Sequence, residues 1–115
     1  KKQEWITIVE PLVQFLINKD ETHAFISHHL ATAAAALFRW NELSNQDSGV
    51  VTKGEILVSS ILKNQSKEGW FKEYGGPDIG YLSVTLDCLW DLFDATNDEK
   101  YFAAAVKSLN YFMVK

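Results

Sequence analysis

Apolar residues recur at intervals of three and four along most of this chain, and the intervals mark out about five helices. Trp5, Ile8, Val9, Leu12, Phe15 and Leu16 form the first stripe, which Pro11 is expected to break near Glu10 because an interior proline removes a backbone donor. The run AFISHHLATAAAALFRWNEL has almost no polar face. Its Ala31 and Ala33 to Ala36 combine high helix propensity with little bulk, so neighbouring helices can approach closely. Leu57, Val58, Ile61 and Leu62 make a third stripe, with Gly54 a weak point worth about 1 kcal/mol relative to alanine. Asp78 is placed to cap a fourth helix running from Ile79 to about Ala95, with Leu82, Leu86, Leu89 and Phe93 on its apolar side and Ser83, Asp87, Asp91 and Asp94 on its polar side. Asn97 is expected to cap a fifth, whose first turn holds Asp98 and Glu99 and whose buried face is Phe102, Ala105, Val106, Leu109, Phe112 and Met113.

No alternating strand pattern survives outside WFKEY, so the chain reads as all-α. AALFRWNELSN and DCLWDLFDATN share an order of small, leucine, aromatic and mixed residues closed by asparagine, and a helix follows each. A repeat of about 50 residues predicts helix hairpins that cannot bury their faces without neighbours. Residues 1–115 are read as a single helical domain. The first residues KKQEW and the last, YFMVK, fall within or beside apolar helical patterns, so a fragment of a longer array is expected, one that exposes apolar faces and self-associates through them.

Composition narrows the partners. With 47% hydrophobic and 23% charged residues the chain suits a globular fold, and a net charge of −4 without basic clusters argues against nucleic acid or an anionic membrane. The single Cys88 sits among Leu86, Leu89 and Trp90 and reads as a buried thiol. Neither a compartment nor a cofactor is implied.

The stretch QSKEGWFKEYGGPDIGYLSVT, between the third and fourth stripes, carries the strongest motif. Gln65 followed by Gly69 and Trp70 resembles the Q-W turn that closes helix hairpins in α/α-toroid proteins. The extension EGWFKEYGGPDIGYLSVTLDCLWDLFDATND is more similar to the carbohydrate-processing members, the polysaccharide lyases and glycoside hydrolases. The resemblance covers about residues 25 to 115. It implies a partial α/α-toroid that binds or processes a polysaccharide. A non-catalytic helical-repeat module for protein partners is the alternative, and a terpenoid-cyclase-like toroid a further one, although the Asp-rich motif of the cyclases is missing. The turn also makes sense without the resemblance: Gln65 can bond groups at a helix end, and Gly69, Gly75 and Gly76 permit positive φ.

Within this stretch Trp70, Phe71, Tyr74 and Tyr81 offer flat rings beside the acceptors Glu68, Glu73 and Asp78, a combination that suits sugars, whose C–H faces stack while hydroxyls need oriented polar partners. Asp78 has the competing role of helix cap. His28 and His29 point about 100° apart on a helix, and His23 is not four residues from either, so no metal site is expected. One imidazole can instead act as base or neutralise a uronate, with Tyr81 or Tyr74 as proton donor, in a lyase-type elimination. If the parent is a hydrolase, Glu68, Glu73 or Asp78 would be its acids. His28, Thr32 and Arg39 share one helical strip, whereas Asp87, Asp91 and Asp94 read as a solvated face.

Overall fold

A computed structural model describes residues 2–20, 25–44, 49–74 and 76–114. Five helices account for most of them: α1 (Lys2–Asn18), α2 (Ser27–Ser44), α3 (Val50–Lys63), α4 (Ile79–Thr96) and α5 (Glu99–Val114). The described residues contain no strand, and the protein is all-α. The alanine-rich α2 is the hub, packed on α3 along one side and α4 along another, while α4 pairs with α5 and α1 rests across α2 and α3. Contacts between α2 and α4 climb in step along both: His28 with Tyr81, Thr32 with Cys88, Arg39 with Asp91. The two helices are therefore parallel.

Small residues make this packing possible. Ala31 and Ala34 are fully buried in a core that also holds Phe38, Val58, Ile61, Phe71, Leu82, Leu89, Leu92 and Tyr101. Gly54 belongs to the same logic: a Cβ there would stand 2.9 Å from the Phe38 ring, so this glycine seats α3 on α2 rather than weakening it. A second cluster joins Ile6 and Val13 of α1 to Leu37 and Trp40 of α2 and Val50 of α3.

Several details differ from the periodicity. Helix α1 runs unbroken through Pro11, losing only the bond its missing N–H would have made. It docks through the row of Ile6 and Val13, which turns Trp5, Ile8, Leu12 and Phe15 outward. Asn97 does not begin α5. It closes α4 in the left-handed conformation (φ 58°) with its N–H on the Phe93 carbonyl, and Asp98 caps α5 by accepting from the Lys100 amide at 3.1 Å. The buried row of α5 is Tyr101, Ala104, Ala105 and Ser108. Phe102, Val106 and Leu109 instead line an open groove of about 560 Å³ with Ser83, Leu86, Asp87 and Trp90 of α4. The rotation has a cause in the loop between α3 and α4, whose Gln65 bonds to Ala104 and Ser108 and so draws that side of α5 inward.

Candidate functional site

Between α3 and α4 the chain first staples itself to α5. The Gln65 amide nitrogen lies 3.0 Å from the Gly69 carbonyl, 3.1 Å from the Ala104 carbonyl and 3.1 Å from Ser108 Oγ, which itself donates to Gly69 at 2.7 Å. Ser66 Oγ accepts from the amides of Gly69 (3.0 Å) and Trp70 (2.8 Å). Gly69 has φ 113°, and a Cβ there would stand 2.3 Å from the Lys107 carbonyl oxygen, so both its conformation and the closeness of α5 require glycine. Phe71 follows with 1% exposure in the main core. It is a core residue and not the ligand-facing ring expected from its neighbours. Trp70 is half-buried beside it.

The second half of the loop turns to the start of α2. The first amides of a helix have no intrahelical acceptor, and negative charge is favoured there. Lys72 supplies its carbonyl to the Ser27 amide at 3.0 Å. Glu73 supplies its carboxylate: Oε1 accepts from the His28 amide at 3.0 Å, and Oε2 lies 2.8 Å from His28 Nδ1. Glu73 is 2% exposed, so a residue expected to contact sugar hydroxyls directs both oxygens to one histidine. Its amide donates to the Gly76 carbonyl at 3.0 Å, which folds the turn; Gly76 has φ 132°, and Gly75 lies outside the described residues, as does His23.

Around this dyad the rings gather. Tyr81 stacks on His28 with centroids 4.1 Å apart and planes within 1°. His29 meets the His28 ring edge-on at 4.4 Å. Tyr74 completes the group, 6.3 Å from His28, 6.2 Å from His29 and 5.7 Å from Tyr81. It is 65% exposed, more open than Tyr81. Asp78 Oδ1 accepts from the Tyr81 amide at 3.0 Å, capping α4 and fixing the helix start that carries Tyr81. His28, His29, Glu73, Tyr74 and Tyr81 thus form one cluster where the parallel α2 and α4 both begin. Two imidazoles and two phenols can take up, release and donate protons there, and the exposed tyrosine offers a flat stacking surface.

The other candidates stand apart. Arg39 pairs with Asp91 at 3.1 Å, Asp94 at 3.7 Å and Glu42 at 3.3 Å, and the Asp91 hydrogen bond is the main reason its guanidinium pKa is raised. This places those aspartates in an ion-pair network at the far end of α2 and α4. Burial pushes the Cys88 thiol above its ordinary value, as befits an inert thiol. No group of three His, Cys, Asp or Glu side chains among the described residues is arranged to hold a metal ion, and no described helix is long and apolar enough to cross a membrane. Sequence reasoning did not include Ser108, the partner of the staple. The signal was the small-residue row of Ala104, Ala105 and Ser108 on α5, which marks a side where backbone approaches closely. No family model, no characterised protein and no solved structure matches this chain.

Proposed function

We propose that this chain is a segment of a carbohydrate-active α/α-toroid whose cluster at the starts of α2 and α4 binds or processes a polysaccharide, with an acidic glycan as the favoured substrate. The observation that carries this reading is the assembly of His28, His29, Tyr74 and Tyr81 beside the buried carboxylate of Glu73. A lyase would use these groups directly. His28 takes the proton from the carbon next to the uronate carboxylate, His29 offsets the charge on that carboxylate, and the electron pair forms the new double bond. The glycosidic oxygen leaves with its bonding pair and receives a proton from Tyr81 or Tyr74.

The toroid part of the reading draws support from equivalences within the chain. Ser44 donates to the Trp40 carbonyl at 2.8 Å and Thr96 to the Leu92 carbonyl at 2.7 Å, at positions 52 residues apart on the two parallel helices. Asn18 and Asn64 likewise turn back on Gln14 and Ser60, both at 2.8 Å, as α1 and α3 end. A non-catalytic repeat module that holds a protein partner is the second reading, favoured by the aromatic groove between α4 and α5.

Titration with neutral and uronate-containing oligosaccharides, followed by tryptophan fluorescence, tests the proposal. Saturable quenching by the uronate series is expected, lost in Tyr74→Ala with helicity unchanged. No response to any sugar, from a chain of normal helicity, would sink the carbohydrate reading and leave the interaction module.

A further inference from the structure

We propose that Glu73 is a positioning residue that holds His28 as the Nδ1–H tautomer and thereby makes Nε2 the proton acceptor of the cluster; the acceptor role rests on the function proposed above, whereas the tautomer does not. A neutral imidazole carries its proton on one nitrogen only, and the partner of the other nitrogen decides which. Here that partner is a carboxylate oxygen 2.8 Å from Nδ1. An ionised carboxylate only accepts, so a bare Nδ1 would set lone pair against lone pair, whereas Nδ1–H makes a charge-assisted bond.

Glu73 is placed as an acceptor by its surroundings. Its other oxygen accepts from the His28 amide at 3.0 Å, and both bonds lie at the start of α2, where the helix dipole stabilises negative charge. Tyr81 lies flat on the ring and His29 edge-on to it, so rotation of the imidazole away from Glu73 would disrupt both contacts. Of the two ring nitrogens, Nε2 is the one not engaged by Glu73.

Glu73→Gln separates positioning from a purely structural cap. The glutamine carbonyl still accepts from the His28 amide, so the start of α2 keeps its partner, but the side-chain amide now donates to Nδ1. The tautomer should invert to Nε2–H without loss of helicity. Long-range ¹H–¹⁵N correlation of the imidazole nitrogens, recorded where the rings are neutral and assigned with His23→Gln and His29→Gln, reads this directly. Expected are a pyrrole-type Nδ1 and pyridine-type Nε2 for His28 in the native chain, with the two exchanged in Glu73→Gln. A native His28 with pyridine-type Nδ1 would mean that Glu73 carries the proton, and would overturn the proposal, as would rapid averaging of both nitrogens. Oligosaccharide binding does not enter this readout, so failure of the carbohydrate reading would be seen separately.

Discussion

The hairpin α2–α3 and the hairpin α4–α5 place similar sequence in opposite surroundings. Moving 52 residues along the chain takes Ala31, Ala34, Ala35 and Phe38 to Ser83, Leu86, Asp87 and Trp90. The first set is buried under neighbouring helices, with Phe38 at 6% exposure, whereas the second lines an open groove, with Trp90 at 54%. Gly54 seats against Phe38 on one hairpin, and Val106 stands beside Trp90 in the groove of the other. One aromatic position is thus a core residue in the first hairpin and a surface residue in the second. Periodicity reports which residues share a face; what covers that face depends on tertiary neighbours.

The comparison is sharpest in stability. Phe38→Ala should cost about 3–5 kcal/mol, because it opens a cavity against a glycine that cannot fill it, while Trp90→Ala should change stability by less than about 1 kcal/mol. Urea unfolding of the two variants checks this, and equal losses would mean that the groove is closed in solution. Gly69→Ala comes next, with an expected loss of about 1–3 kcal/mol from its φ of 113°, added to which is the collision with Lys107. Asp78→Ala should cost about 1 kcal/mol through loss of the α4 cap. Thermal melts would rank these last two, and a harmless Gly69→Ala would refute the staple.

A smaller effect concerns pH. Burial raises the Tyr101 phenol and the Cys88 thiol above their ordinary values. For each, the native state holds its proton more tightly than the unfolded chain. The resulting stability is complete below the ordinary value and is lost as pH rises through the folded one. Denaturation midpoints should therefore fall in the alkaline range, and fall less in Tyr101→Phe. If the exposed groove drives self-association, sedimentation should further detect concentration-dependent oligomers that Trp90→Asp removes.

Five helices and the all-α class could be read from spacing because each helix buries part of a stripe. The candidate site was partly legible too: His28, His29, Tyr74 and Tyr81 stand out as residue types, and neighbouring rings lie within about 6 Å of one another. The role of Glu73 was hidden, since its partner is 45 residues away and only the tertiary fold brings a loop carboxylate to the start of α2. Phe71 was misread for a related reason, as a ring beside polar neighbours in a loop gives no sign of which side the loop presents to the core. The rotation of α5 also escaped, because Phe102 and Tyr101 are adjacent and the choice between them was made by Gln65, about 40 residues earlier in the chain.

The staple between Gln65, Gly69 and Ser108 has a consequence for communication. Four residues beyond Gly69, Glu73 holds the imidazole of His28, so the seat of α5 and the orientation of that ring are mechanically linked through one short, well-bonded stretch of backbone. A partner that filled the α4–α5 groove and shifted α5 would tug on the same stretch and would exert leverage on the histidine. Amide hydrogen exchange would register the linkage as a single opening event, with Trp70 and His28 gaining or losing protection together.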